Sequence, residues 1–512
     1  MKRRSFLRCG AFLIPLIALG ALLACGGSGA NGSGLDGPDP SIDGATDGDP
    51  TKPALERDAA RRPTDPAETD AAKGDAAVTD ATNDGSTAVD AGPSAPVTAI
   101  ALGFEHSCAI LDGGRVKCWG ANDYGQLGLG DKAERGGDSK DMGASLPVVD
   151  LGPGRTAKAV AVAVNHTCAL LDNDRVKCWG RNFGNLGYGD TNERGSTPGT
   201  MGANLPYVDL GPGRTVKSLS AGAAHTCALL DTNEVKCWGL NNLGQLGIGS
   251  ILLRGDGPNQ MGASLLAVDL GPGRTVKSLV AGYTHNCVIL DTDAVKCWGA
   301  NSNGNLGIGS ASLGMGDAPN ELGNKLPTAD LGSGRVAKSL AASEVHSCAV
   351  LDDDTLKCWG GNFDWQLGLG DTLSRGDAPN EMGNSLPTVY LGVGLGLAAT
   401  AAGRYHTCAV ISSGLLKCWG DNAAGQLGLG DTIDRGTPFN PMATLPPVNV
   451  GPGLSVKAVA AGATHTCAIV DDGRLKCWGK NDRGQLGLGD KASHGNALGS
   501  MGSALPFVAV GL

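Results

Sequence analysis

The sequence predicts an all-β fold, a seven-bladed β-propeller of four-stranded blades, from its repeats, its strand pattern and its ends. The segment 223–249, AAHTCALLDTNEVKCWGLNNLGQLGIG, recurs seven times with minor changes. A unit of this size cannot bury its apolar face alone, so a regular period indicates stacked copies. The repeat histidines are 60, 59, 60, 61, 60 and 59 residues apart: His106, His166, His225, His285, His346, His406 and His465.

Each repeat holds four short apolar or β-branched runs separated by turn residues. In the third copy these runs are LPYVDL (205–210), VKSLSAG (216–222), HTCALLD (225–231) and EVKCWG (234–239). No helix-length amphipathic window interrupts them, so each run predicts a strand. Four strands per repeat form a propeller blade. A β-solenoid is the competing repeat fold, but its rungs are usually about 20–30 residues long.

The two ends of the repeat region complement each other. The first repeat begins at 97–102, VTAIAL, and has no LPxVDL run before it. The chain ends in such a run at 505–510, LPFVAV. We therefore expect the C-terminal strand to complete the first blade and close the ring, whereas an open solenoid would carry atypical capping repeats.

Residues 1–25 have the pattern of an export signal. Four basic residues within 2–8 precede or flank the apolar stretch 11–24, which is too short for a comfortable membrane span. Leu22-Leu23-Ala24-Cys25 resembles the lipobox of bacterial lipoproteins. That resemblance implies a lipid on Cys25, and Gly26 in place of Asp implies the outer membrane, facing the periplasm or the exterior. The alternative is an ordinary signal peptide that contains a cysteine.

Residues 26–96 are predicted to be a disordered tether. They hold 14 acidic and 5 basic residues, a net charge of −9, and almost no large apolar side chains. Such a segment cannot bury enough apolar surface to offset its ordering entropy. A flexible coil of about 70 residues spans about 45–50 Å. The alternative is a partner-binding tail.

The repeat region, 97–512, is close to neutral. Subtracting −9 for the tether and +4 for the signal from the total of −10 leaves −5. This domain lacks the basic footprint of a nucleic-acid binder. We expect no nucleic-acid partner, no cofactor and a monomer.

The pattern HxCALxxxxxxKCWGxNxxGQLGxG resembles the regulator-of-chromosome-condensation repeat, over 97–512. That resemblance implies a seven-bladed propeller. The family includes a nucleotide exchange factor for a small nuclear GTPase, which binds chromatin, and a secreted bacterial inhibitor of β-lactamases. An exported protein has no access to a nuclear GTPase, and propellers host many unrelated activities, so the resemblance bears on fold more than on function.

Two cysteines ten positions apart occur in every repeat. Asp231-Thr232-Asn233 as a hairpin loop would place the first cysteine opposite the second, at a Cβ separation near that of a disulfide. An even count in an exported chain favours disulfides, against the alternative of reduced, buried thiols. The expected intrablade bridges are Cys108–Cys118, Cys168–Cys178, Cys227–Cys237, Cys287–Cys297, Cys348–Cys358, Cys408–Cys418 and Cys467–Cys477.

The repeat histidines and the aspartates after GxG are candidate metal ligands, but the pattern favours structural roles. His-x-Cys plus Cys offers zinc three ligands and no fourth. We therefore expect each histidine to fix a turn through backbone hydrogen bonds. Calcium spacing is absent around the aspartates, which we expect to cap turns. No nucleophile elbow, phosphate loop or zinc-protease motif is present, so no catalytic residue and no metal site is predicted.

Strand alternation sorts the loops onto two ends of the blades. The GPGR and LDxxx turns share one end and barely vary, while the residues before each histidine and the WGxNxx loops share the other and differ between copies. Trp365 replaces a turn glycine there, and Leu243, Asp364, Lys480 and Arg483 also break the small-residue norm. Aromatic and arginine side chains on loops of a rigid scaffold are typical of binding sites, whereas neutral drift is the alternative. The predicted ligand-binding face comprises Phe104, Glu105, Tyr124, Phe183, Tyr283, Glu344, Phe363, Trp365, Arg404 and Tyr405.

These observations predict a non-enzymatic recognition protein, tethered to the outer membrane, that binds a protein or a polysaccharide on its variable loops. Two alternatives remain. One is an inhibitor of an extracytoplasmic enzyme, which would use the same face. The other is an enzyme with its site in the central well, although Glu105 and Glu344 have no evident acid–base or metal partner in the sequence.

Overall fold

A computed structural model describes residues 96–511 of this chain. The predicted signal, Cys25 and the tether lie outside these residues. Within them each repeat forms one antiparallel sheet, and the seven sheets form the predicted all-β propeller. No helix within 96–511 is long and apolar enough to cross a membrane.

Each sheet has an inner, a middle and an outer strand. The inner strands are Val97–Leu102, Ala157–Val162, Val216–Ala221, Val276–Ala281, Ala337–Ala342, Leu397–Ala402 and Val456–Ala461. The middle strands are His106–Leu111, His166–Leu171, His225–Leu230, His285–Leu290, His346–Leu351, His406–Ile411 and His465–Val470. The outer strands are Arg115–Gly120, Val176–Gly180, Val235–Gly239, Val295–Ala300, Leu356–Gly360, Leu416–Gly420 and Leu475–Gly479.

Short elements decorate the links between the sheets. Two two-residue strands, Gly314–Met315 and Thr328–Ala329, pair with the outer strand of the fourth repeat. The single-turn 3₁₀ helices are Ser139–Asp141, Gly143–Ser145, Gly202–Asn204, Gly262–Ser264, Gly323–Lys325, Gly383–Ser385, Met442–Thr444 and Gly502–Ala504.

The core consists of seven equivalent layers, each between two neighbouring blades. All six residues of every middle strand are buried, because each sheet is covered on both faces. Strands in that position have continuous apolar runs rather than alternating ones. In one layer, Leu229 and Val235 of the third repeat pack against Val288, Leu290 and Trp298 of the fourth.

The fourth strand of each blade is weaker than the sequence predicts. The LPxVDL segment lies beside the outer strand of the preceding repeat but forms a single hydrogen bond in most copies, such as Val208 N to Val176 O at 2.9 Å. A proline follows the first leucine in six copies and removes a donor. Carbonyl groups of the segment and of the link before it bind lysines of the outer strands instead. Lys177 Nζ, for example, donates to Leu151 O of one segment and to Gly202 O of the following link, at 3.0 and 2.7 Å.

The ring is closed, and the structure corrects one detail of how. Val508 N donates to Leu475 O of the last repeat at 2.8 Å, so the C-terminal segment pairs with the last blade rather than completing the first. Every LPxVDL segment pairs with the strand that precedes it, which explains this register. The segment still latches the ring, because Val508 and Val510 pack in one cluster with Val97 and Leu111 of the first repeat.

The strand register confirms the sorting of loops onto two faces. The constant face carries repeated ion pairs such as Arg155–Asp172 and Arg214–Asp231, with N–O distances of 3.3 and 3.4 Å. At the opposite end, each repeat histidine pairs with the glycine of WG, for example His225 with Gly239. We call this second end, with its pre-histidine and WGxNxx loops, the loop face.

Candidate binding face

The seven repeat histidines are scaffold residues, and they link the blades into a cycle. Each is buried, and its Nε2 lies 2.8–3.1 Å from a hydroxyl or amide oxygen of the following repeat. The contact pairs are His106–Thr167, His166–Thr226, His225–Asn286, His285–Ser347, His346–Thr407, His406–Thr466 and His465–Ser107. The predicted structural role holds, but side chains of the next blade replace the expected backbone partners.

The partner groups define the protonation state of these histidines. Thr167 Oγ1 donates to Gln126 O at 2.9 Å, and Asn286 Nδ2 donates to Gln245 O at 2.8 Å. Each partner oxygen is therefore left to accept, so the histidine Nε2–H donates to it. Burial lowers the pKa of His106 to about 3, and the other six pKa values fall to about 3 or 4 for the same main reason.

The WG motif is also part of the scaffold. The tryptophan ring of each repeat is fully buried and its Nε1 donates to a carbonyl of the preceding repeat, as from Trp238 to Asn185 O at 2.9 Å. The following glycine has a φ of 108° at Gly239, and a Cβ there would lie 2.5 Å from Ala224 O. Only glycine fits this position without displacing the backbone of the binding loop.

The cysteine pairs lie where the sequence predicts them. Cys227 is directly opposite Cys237 in the register of the hairpin, and the other six pairs are equivalent. Sulfur–sulfur distances are 2.01–2.13 Å in all seven pairs, with every bridge inside one blade. The cysteines are buried in the layers between blades.

Within residues 96–511 no cluster of three or more His, Cys, Asp or Glu side chains could hold a metal ion. The aspartates after GxG cap turns instead. Asp131 Oδ1 accepts from Ala133 N at 2.9 Å, and its Oδ2 lies 2.7 Å from Arg135 Nη2. Asp190, Asp371 and Asp431 make the same arginine contact.

Four of the ten predicted site residues line a central funnel, and Tyr405 lies beside one of them, Arg404. The funnel has a volume of about 190 Å³ and is lined by the inner strand ends of all seven repeats. Arg404 Nε lies 2.7 Å from Glu344 Oε2, and its guanidinium lies 5.4 Å from the Phe104 ring and 4.9 Å from the Tyr405 ring. Burial, followed by the charge of Glu344, raises the pKa of Tyr283.

A second group joins the first and second repeats on the loop face. The Arg181 guanidinium lies 4.6 Å from the Tyr124 ring and 4.3 Å from the Phe183 ring. Phe183 is 41% exposed, so its outer surface is free to contact a ligand. Arg181 was not predicted as a site residue; its only sequence signal is an arginine at the x of WGxN.

The remaining predicted residues occupy separate places. Glu105 lies 3.7 Å from Lys480 Nζ. Phe363 is 53% exposed beside the fifth-repeat turn, and Trp365 lines a groove between the fifth and sixth repeats. The ten residues therefore share one face but do not form one site: five lie at or beside the funnel, two contact Arg181, and three lie apart.

The sequence prediction missed a set of exposed apolar side chains on the long links that leave the loop face. Their shared signal is a large apolar residue at positions where other repeats have Ala, Asn or Pro. These residues are Leu252, Leu313, Leu373, Ile433, Phe439 and Leu498, with exposed fractions of 61, 80, 64, 54, 93 and 99%.

Known proteins resemble this chain over most of its length. The ultraviolet-B receptor UVR8 of Arabidopsis thaliana is 28% identical over 400 residues, covering 78% of this chain and 80% of that protein. Protein pim1 of Schizosaccharomyces pombe is 29% identical over 354 residues, covering 65% of this chain and 61% of its own length.

A solved structure supports the fold alone. Prp20p of Saccharomyces cerevisiae, studied for its binding to Gsp1p and histones, superposes with a TM-score of 0.52 at 21% identity, over 71% of this chain and 80% of that one.

Both sequence profiles of the regulator of chromosome condensation (RCC1) repeat match the chain. One matches seven segments, one in each repeat: 97–126, 157–185, 216–245, 276–305, 337–364, 398–426 and 456–485. The other matches 113–170 and 413–469. The chain belongs to the regulator of chromosome condensation (RCC1) repeat family.

Proposed function

We propose that this propeller is a non-enzymatic recognition module whose loop face binds a protein or a polysaccharide. One observation carries the proposal: the loops of this face bring together aromatic and charged side chains that depart from the repeat consensus. The Arg404–Glu344 pair with its aromatic neighbours, and Arg181 with Tyr124 and Phe183, lie on that face. Aromatic and arginine groups held on a rigid frame are the usual anchors of binding interfaces.

The carboxylates of the funnel mouth support binding more than catalysis. Glu344 is ion-paired with Arg404, and Glu105 lies near Lys480. Each carboxylate is therefore engaged with a cationic partner. The same ion pair can contribute a charged, oriented surface to a ligand.

The proposal includes a lipid anchor at Cys25, with the acidic segment 26–96 as a spacer from the outer membrane. Leu22-Leu23-Ala24-Cys25 after a basic and apolar leader supports this part. Globomycin, which inhibits lipoprotein signal peptidase, is expected to block maturation of the wild type, and Cys25→Ser is expected to abolish lipid labelling. Cleavage that proceeds with globomycin present, or label retained by Cys25→Ser, would rule out the anchor.

Ligand capture tests the recognition function. The immobilised full chain is expected to retain a ligand from solubilised envelope proteins and polysaccharides, and the double variant Arg181→Ala, Arg404→Ala should retain about tenfold less. Arg214→Ala on the constant face is the control, since it removes an arginine of similar exposure that is ion-paired with Asp231. Equal retention by the double variant and the wild type would refute the proposal.

A further inference from the structure

An apolar groove opens on the loop face between the fifth and sixth repeats. It has a volume of about 640 Å³ and is lined by Trp365, Leu373, Ile433, Pro438 and Phe439. Phe439 is 93% exposed, and Leu373 and Ile433 are more than half exposed. Apolar side chains brought together at the surface in this way mark a contact site rather than part of the core.

Trp365 is not required by the scaffold of this groove. Its φ is 58°, in the left-handed region, and the other six repeats have glycine at this position. A bulky residue in that conformation costs about 1–3 kcal/mol. The fold therefore carries a destabilising side chain at the one turn that lines the groove.

Carboxylates that accept hydrogen bonds but form no ion pair within the described residues border the groove. Asp434 lines it, and burial, together with Asp421, raises the pKa of Asp434. Burial also raises the pKa of Asp364, with Asp421 and Asp434 as further causes. Within residues 96–511 none of the three forms an ion pair, whereas the nearby Asp371 and Asp431 are each paired with an arginine.

We propose that this groove binds a basic segment of another protein, in which a lysine or arginine adjoins a large apolar side chain. The apolar side chain enters the groove between Trp365 and Ile433, and the cation neutralises the cluster of Asp364, Asp421 and Asp434. This inference rests on the proposed recognition function, since the groove is part of the loop face.

Charge and wall chemistry select this occupant. The chain's own segment 26–96 has a net charge of −9 and a second copy has −10, so both would be repelled by the aspartates. Thr372, Thr437 and Asn440 also line the groove and could bond a sugar, but a neutral sugar would leave the three aspartates without a cation. A segment with an apolar side chain beside a cation matches both the apolar groove and the neighbouring aspartates.

Selection from a random dodecapeptide phage library on the immobilised full chain tests the proposal. Enriched peptides are expected to carry Lys or Arg next to Leu, Ile, Phe or Trp. Their affinity, measured by fluorescence anisotropy, should fall about tenfold on Trp365→Gly, which restores the repeat consensus and is expected to fold. Ile433→Ser and Asp434→Asn should weaken binding, and Asp434→Asn should also reduce its salt dependence.

Matched controls come from other repeats. Leu252→Ser changes the exposed residue equivalent to Ile433, and Glu193→Gln changes the carboxylate equivalent to Asp434; both should leave affinity unchanged. No enrichment, acidic peptides, or undiminished binding to Trp365→Gly would overturn the groove proposal. So would binding of cellohexaose or chitohexaose that is lost on Trp365→Gly. If ligand capture still depends on Arg181 and Arg404, the recognition function stands after any of these failures.

Discussion

At the scale of single residues, side chains shared by all seven repeats differ in role from side chains found in only one repeat. Histidine and tryptophan at the positions of His225 and Trp238 occur in all seven repeats and are buried, with His225 Nε2 and Trp238 Nε1 bonded to neighbouring blades. Arg181 and Trp365 each occur at their position in one repeat only and lie at the loop surface. A residue repeated sevenfold explains the fold, and a residue found once is a candidate for function.

The hydroxyl that joins two blades is the first testable contact. Thr226 accepts from His166 Nε2 at 3.0 Å and donates to Asn185 O at 3.1 Å. Thr226→Val leaves His166 Nε2 buried without a partner and removes one of the two donors to Asn185 O, so we expect the free energy of unfolding to fall by about 1–3 kcal/mol in urea denaturation. Thr232→Val removes an exposed hydroxyl bonded only to Glu234 and should have little effect. Equal stability of the two variants would contradict the inter-blade role.

At the scale of the blade, the hairpin of the middle and outer strands is the most strongly fixed element. It is closed by a cysteine pair, and its lysine holds the preceding LPxVDL segment and the following link, as Lys177 does at Leu151 O and Gly202 O. These cross-links act where the fourth strand has only one backbone hydrogen bond. The blade therefore depends on disulfides and lysine hydrogen bonds where backbone hydrogen bonds between strands are few.

Removing one disulfide tests how much these side-chain cross-links stabilise the blade. The double variant Cys227→Ala, Cys237→Ala is expected to lose about 3 kcal/mol, because the bridge closes a short loop and restricts the unfolded chain. Intact-mass measurement before and after reduction should show two added hydrogen atoms for each of seven bridges. Free thiols in the unreduced protein would exclude the bridges.

At the scale of the whole molecule, the ring closes through the same contacts that join neighbouring repeats. Ser107 of the first repeat meets His465 of the last at 3.1 Å, and Trp119 Nε1 donates to Gln485 O at 2.9 Å. Arg483 adds ion pairs to Asp123 and Glu134 across this seam. The last interface thus resembles the other six, and no blade is terminal.

Seven neutral buried histidines predict a steep response of stability to acid. Their pKa values are about 3 or 4 in the fold, against about 6.5 in an unfolded chain. The depressed values mean that stability is complete above pH 6.5 and is lost as pH falls from about 6.5 toward 4. At about pH 5, unfolding should therefore be accompanied by the binding of about seven protons to these histidines.

The pH dependence of the guanidinium unfolding free energy measures this uptake. His346→Gln, which keeps a donor for Thr407, should lower the uptake by about one proton. A free energy of unfolding that is constant from pH 7 to 5 would show that the histidines are not buried in neutral form.

The sequence could predict the features that the repeat period and the hairpin geometry determine, but few of the contacts between blades. Cys227 opposite Cys237 follows from a three-residue loop, and the two faces follow from strand alternation. The partnership of Arg181 with Tyr124 depends on the distance between loops of adjacent blades, which the period does not specify. The fourth strand was overpredicted because its apolar run has strand composition, while proline and the lysine contacts remove most of its ladder.

Photo-crosslinking tests most directly the claim that binding occurs where the repeats differ. Benzoylphenylalanine in place of Tyr124 or Tyr405 puts the probe on the loop face, and in place of Tyr207 it puts the same probe beside Arg175 on the constant face. With the ligand captured by the wild type, we expect crosslinks from the two loop-face positions and none from Tyr207. Crosslinks from Tyr207 alone would contradict the account.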